Sequence, residues 1–260
     1  MIRRLREWLR RHKASRIVVT EAQWIQAEMP LPFLQHLSTA DRFRLRDLTL
    51  QFLAEKQMSG ARGLELNALI QLSIALQACL LVLNLGLDWY RGWVGIVVYP
   101  GDFVIPRQQM DEDGILHEFD DAVLGEAWQG GPVLLSWAGE RQDVDGINVV
   151  IHEFAHKLDM RNGMPDGMPP LHQGMSKDAW IDAFAPAYEG FCARVDQSEL
   201  DGVDIALDPY AAESPAEFFA VMSEAFFETP ALLREEYPAV YAQLALFYRQ
   251  DPLAIPRRTD

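Results

Sequence analysis

Ile151-His152-Glu153-Phe154-Ala155-His156-Lys157-Leu158-Asp159 is the stretch around which the chain is organised. In a helix, successive residues turn by about 100°, so His152 and His156 stand about 40° apart, one turn above the other. Ile147, Val150, Ile151, Phe154 and Leu158 fall largely on the opposite side, as a buried helix requires. Two imidazoles on one face can close on one Zn²⁺ at roughly 2.0–2.1 Å per nitrogen. Glu153, beside the first of them, is placed to take a proton from a metal-activated water. The local context supports a helix. Asp143 or Asp145 can cap its start, and Gly163 can end it after Arg161-Asn162.

The rest of the chain has the composition of a globular protein. It has 260 residues, 49% apolar and 23% charged, enough for a sizeable core. A formal net charge of −15 argues against direct nucleic-acid binding by the body. Cys79 and Cys192 lie far apart in apolar runs and read as reduced, buried residues of a cytoplasmic protein. No secretory leader is visible. Leu64–Leu87 is interrupted by Glu65, Asn67, Gln71, Gln77 and Asn84, so it reads as a core helix and not a membrane span.

Residues 1–16 carry seven cations against Glu7, a local charge of +6 that leaves −21 for the remainder. Ile2, Leu5, Trp8 and Leu9 make an apolar stripe, so a short basic amphipathic helix is expected. Packing on the acidic body of its own chain, contact with an anionic membrane surface and docking of a partner are its three competing readings.

Residues 17–252 are expected to form one domain, helical over 17–90 and carrying the sheet and active-site helices over 91–252. Residues 253–260 form a tail. Thr39-Ala40-Asp41 begins a helix with Phe43, Leu45, Leu48, Phe52 and Leu53 on its apolar face, and Gly60 and Gly63 break it. Leu64–Leu85 runs as a second helix, apolar nearly all round. Trp93–Tyr99, Asp102–Ile105 and Pro132–Ala138 read as strands, with Pro132–Ala138 the candidate edge for pairing with a substrate backbone. His117-Glu118-Phe119-Asp120-Asp121 imitates a second site, but Asp121 replaces the second histidine, and a solvated turn is expected. Residues 163–175 form a Gly/Pro/Met-rich loop, either lid or connector, with His172 at the surface. Asp178–Val195 reads as a helix.

A catalytic zinc usually has three protein ligands and one open position. Glutamates fill Tyr210-Ala-Ala-Glu213-Ser-Pro-Ala-Glu217-Phe218-Phe219-Ala-Val-Met222-Ser-Glu224-Ala-Phe226-Phe227. Ser214-Pro215-Ala216-Glu217 is a capping box, which gives Glu217 a purely structural explanation, with Phe218, Phe219, Met222 and Phe226 facing the core. A purely structural zinc is disfavoured because neither cysteine lies near the motif.

His-Glu-Phe-Ala-His-Lys-Leu-Asp, followed by Tyr-Ala-Ala-x-x-x-Ala-Glu-Phe-Phe-Ala-Val-x-Ser-Glu-x-Phe-Phe, resembles the Mlc titration factor A family. These are bacterial cytoplasmic gluzincin peptidases, similar to the catalytic domain of anthrax lethal factor. The resemblance runs from about residue 17 to the Phe-Tyr-x-Gln-Asp-Pro at 247–252. It implies an α+β, zincin-like fold, mostly helical, with a small mixed sheet beside the His-Glu-x-x-His helix. It implies one Zn²⁺ per chain on His152, His156 and Glu217, rather than Glu213. Glu153 would be the general base, and Tyr210 would assist the chemistry.

The activity implied is hydrolysis of peptides, aminopeptidase-like, together with binding of an Mlc-type transcriptional repressor. The alternative is a regulatory protein that sequesters a transcription factor, with its zinc site secondary. One position departs from the thermolysin-like pattern: Val221 stands where an aspartate would orient a ligand. Glu224 and Asp159 are the candidates for orienting His152 or His156.

Overall fold

The computed structural model describes residues 2–110, 116–137, 148–202 and 204–254, without the side chains of 2–6 and 105–123. Helices α1 (Ile2–Ala14), α2 (Glu21–Glu28) and α3 (Thr39–Glu55) precede a short strand β1 (Gln57–Gly60) and helix α4 (Ala68–Leu81). Strands β2 (Gly95–Tyr99), β3 (Phe103–Met110), β4 (Leu116–Val123), β5 (Gly125–Ala127) and β6 (Val133–Ser136) follow. Helices α5 (Val149–Asp159), α6 (Lys177–Asp201), α7 (Pro215–Glu228), α8 (Pro230–Glu236) and α9 (Pro238–Tyr248) complete the described chain. The fold is α+β, mostly helical with a small mixed sheet.

The sheet runs β1-β2-β6-β5, with β1, β2 and β6 parallel and β5 antiparallel to β6. This order corrects one expectation. Pro132–Ala138 yields β6, which is paired on both sides, Val133 with Ile96 of β2 and with Ala127 of β5. Among the described residues, the edge of the sheet beside α5 is therefore β5. Its inward-facing residues are small, and α5 packs directly on it.

The decoy at His117–Asp121 is also corrected. It lies within strand β4, paired antiparallel with β3, and is not a turn. Strand β1 interrupts a region expected to be helical throughout. Its Gln-Met-Ser-Gly sequence has no β-branched residue, and its place is set by pairing with β2.

Helix boundaries follow the caps. Asn67 accepts the Ile70 amide and starts α4 at Ala68, four residues later than hydropathy alone indicates. Ser38 caps α3, on whose predicted face Leu45 and Phe52 are fully buried, whereas Phe43 is 66% exposed. α6 extends beyond both predicted ends and keeps Pro186 inside it. Cys79 is buried, Cys192 is only partly covered, and both are free thiols. Among the described residues, no helix is long and apolar enough to cross a membrane.

The core lies where α3, α4, α5, α7 and the sheet meet. Phe154, on the back of α5, packs on Tyr90 at 5.2 Å, Phe52 at 5.7 Å and Trp93 at 5.8 Å between ring centres. Phe219 on α7 meets Trp180 and Phe247. Burying an aromatic side chain of this size contributes roughly 2–3 kcal/mol. Phe154 thus anchors α5 on α3 and the segment before β2, and Phe219 anchors α7 on α6 and α9.

Candidate metal centre

α5 is buried on every side, and its polar residues are therefore committed to specific partners. The expected caps Asp143 and Asp145, and Ile147 of the expected apolar face, lie outside the described residues. The N-cap is Asn148, whose Oδ1 accepts the Ile151 amide at 2.9 Å. Its Nδ2 donates to Gln77 of α4 and to Glu228 of α7, each at 2.7 Å. Its backbone amide donates to Glu224 Oε2 at 2.6 Å. One residue thus locks three helices in register. The helix ends at Asp159, with Met160 as C-cap, before Gly163 is reached.

That register brings His152, His156 and Glu217 together. One ligand atom from each lies within 4.8 Å of the others. Glu217 Oε2 is 2.9 Å from His152 Nε2 and 3.1 Å from His156 Nε2, and the two nitrogens are 3.1 Å apart. Ligands of a tetrahedral zinc at about 2.0–2.1 Å stand roughly 3.3 Å from one another. Two imidazole nitrogens turned toward each other and toward one carboxylate oxygen form a donor set suited to a shared cation. The residues fit the metal. Glu213, the other candidate in that stretch, is exposed and lies outside the cluster.

Glu217 also settles its two competing explanations. Ser214 Oγ accepts the Glu217 amide at 3.2 Å, so the cap is real. The Glu217 carboxylate does not close the box; it goes to the imidazoles. Burial pushes this carboxyl up, but the hydrogen bonds from His152 and His156 outweigh that and hold it at about 2. Phe218, Phe219, Met222 and Phe226 face the core as expected.

Glu224, one of two candidate orienting groups, touches His152 Nδ1 through Oε1 at 2.6 Å. Burial opposes a charge on His152, yet Glu224 and Glu217 together raise its proton affinity well above the ordinary value. The Nδ1 proton is thereby held on the Glu224 side, which leaves Nε2 directed at Glu217. Glu224 does what the aspartate replaced by Val221 would do. Asp159 serves elsewhere: its Oδ2 accepts the Gly167 amide at 2.8 Å.

The Gly167 contact defines the 163–175 loop at this point as a brace. Gly167 has φ +79°, its carbonyl accepts from Trp180 Nε1, and a Cβ there would meet Pro215 O at 2.3 Å. His172 is half-buried, with Nε2 on the Leu246 and Phe247 carbonyls, away from the cluster.

Glu153 is buried beside the two imidazoles, and its Oε2 has no hydrogen-bond partner among the described residues. Burial raises its carboxyl to about 7. Gly125 on β5 faces it so closely that a Cβ there would lie 2.5 Å from Glu153 Oε1. Sequence reasoning missed Gly125, although a lone glycine in a strand signals close approach. It also missed Asn148 and Lys157. Lys157 Nζ donates to Trp128 O at 2.6 Å and Gly131 O at 3.0 Å, tying the β5–β6 turn to α5. Tyr210 is 50% exposed at the rim, its ring centre 6.1 Å from that of His152.

A mixed sheet with a free antiparallel edge, a buried His-Glu-x-x-His helix and a glutamate from a second helix describe a metal-dependent peptidase class. The chain belongs to the family of glucose-regulated metallo-peptidases M90, whose model matches residues 5–249. Among curated proteins it is 38% identical over 237 residues to Mlc titration factor A of Klebsiella pneumoniae, covering 90% of this chain and 88% of that protein. It is likewise 38% identical over 242 residues to Mlc titration factor A of Yersinia pestis and of Yersinia pseudotuberculosis, covering 92% of this chain and 88% of each.

Proposed function

We propose that this chain is a cytoplasmic, zinc-dependent peptidase of the gluzincin type, with a zincin-like fold. His152, His156 and Glu217 hold one Zn²⁺, and Glu153 is the general base. The observation that carries this reading is the convergence of three ligand atoms beside a buried, partnerless carboxylate oxygen. Zinc bound there supplies Lewis acidity, making water nucleophilic near neutral pH and polarising the scissile carbonyl.

The chain's own residues do the rest. Glu153 takes the water proton on a carboxylate oxygen and returns it to the leaving amine nitrogen. Burial pushes its carboxyl up from the ordinary carboxylate range, in the direction a proton carrier needs. Glu224 keeps His152 in the ligand tautomer. Tyr210 swings its hydroxyl to donate to the developing oxyanion, a contribution of about 2–4 kcal/mol when aligned. The outer edge of β5, whose Gly125 lies against Glu153, receives the substrate backbone as an added strand. Family resemblance supports short peptides with a free amino end as substrates.

The test is Glu153→Gln. Zinc content should persist while turnover of peptides falls by about 10²–10⁴-fold, the range of a general base. Undiminished hydrolysis removes Glu153 from the role.

A second reading rests on the relatives' name, Mlc titration factor A. We propose that this chain also binds an Mlc-type transcriptional repressor. If Glu153→Gln binds that repressor at wild-type affinity, the binding is independent of catalysis; on the alternative reading, sequestration is then the chain's main work.

A further inference from the structure

α1 is mounted the wrong way round for a helix whose only task is to cover a core. Arg10 and Ala14 are the buried residues on its described part. The Arg10 guanidinium reaches Glu55 of α3 at 2.6 Å and Asp88 at 3.0 Å, and this charged face holds the helix on the body. At about 100° per residue, Trp8 lies roughly 160° and Leu9 roughly 100° around the helix from Arg10. Both point outward, Trp8 60% exposed and Leu9 44% exposed. His12, one turn on, stacks on the Trp8 ring at 5.5 Å and holds it in place.

From these contacts we infer that α1 is a membrane-surface helix, which lays the stripe centred on Trp8 and Leu9 onto an anionic lipid bilayer. Charge selects this occupant. Arg11, Lys13 and Arg16 are all exposed and flank the stripe, the pattern of a helix lying in the headgroup plane, where Trp and Leu enter the acyl boundary and cations meet phosphates. The remaining chain, at −21 net, is on balance repelled by the same surface. Val18, 85% exposed just past the helix, extends the apolar contact. Binding by α1 is independent of the peptidase reading, because neither Trp8 nor Leu9 belongs to the metal cluster.

The experiment is flotation of the full chain with phosphatidylcholine–phosphatidylglycerol vesicles and with pure phosphatidylcholine vesicles, at low and high salt. The chain should float with the anionic vesicles, release in high salt and stay down with the neutral ones. Trp8→Glu with Leu9→Glu should cut the bound fraction by about tenfold or more. Arg11→Glu with Lys13→Glu should cut it by at least about fivefold per charge. All four positions are exposed, so circular dichroism should match wild type. Failure to bind anionic vesicles, or variants that bind like wild type, overturns the inference. So does a lipid-free dimer that Trp8→Glu with Leu9→Glu dissociates, since a second copy would then cover the stripe.

Discussion

Glu224 Oε1 sits 2.6 Å from Nδ1 of His152, on the ring edge opposite the nitrogen that meets Glu217. The same carboxylate takes the Asn148 backbone amide on its other oxygen, so it couples the start of α5 to the orientation of a ligand. Glu224→Gln keeps the size and loses the charge. It should weaken Zn²⁺ binding by about 10–100-fold with little change in helix content, read by competition with a chelating dye. Unchanged affinity would make Glu224 a packing residue only.

Gly125→Ala places a methyl carbon 2.5 Å from Glu153 Oε1, inside contact distance. Either the Glu153 side chain or the edge of β5 must move. Peptide turnover should fall by about 10²-fold, as for an ångström-scale misplacement, while bound zinc stays at the wild-type level. Wild-type kcat in this variant would show that the contact does not position the base.

Lys157→Met removes the ammonium from two carbonyls of the β5–β6 turn and from the Trp93 ring, 4.7 Å away. Burial already lowers the charge preference of this lysine to about 8, so the two carbonyls are what keep it in place. The variant takes the ammonium from both carbonyls, while Trp128 O keeps the Gly131 amide at 3.0 Å. A loss of about 1–3 kcal/mol in denaturant unfolding is expected.

These cases mark how far the sequence was legible. His152, Glu153 and His156 were legible from helical spacing, whereas Glu217 was singled out over Glu213 only through the family resemblance, since local capping alone explained it as a cap partner. The orienting group was narrowed to two carboxylates, Glu224 and Asp159, since placing Glu224 two turns of α7 past Glu217 is all that spacing can say. The pairing of β6 on both sides, the closeness of Gly125 to Glu153 and the clamp at Asn148 join residues far apart in the chain. No local pattern carries such contacts. Strand β1 went unread for the same reason: its four residues owe their conformation to β2.

Glu28 gives a pH test away from the metal. Burial pushes its carboxyl up, but Arg46 at 2.6 Å and Arg42 at 2.8 Å outweigh that and hold it below the ordinary 4.5. A carboxyl lowered in the folded state adds stability that is complete above the unfolded value and is lost as pH falls through the folded one. Glu28→Gln should therefore cost about 1–3 kcal/mol near neutrality. That difference should shrink progressively below pH 4.5, as followed by urea unfolding across the acid range. A difference that stays constant into acid would assign the loss to packing.

The central claim is one divalent ion held by two turns of α5 and the first turn of α7. Calorimetric titration of Zn²⁺ into chelator-stripped wild type and into Glu217→Gln measures it directly. The account predicts a single saturable site per chain in wild type and an affinity lower by more than about 100-fold in the variant. A wild-type chain with no saturable site, or a variant that binds zinc as tightly as wild type, would contradict it.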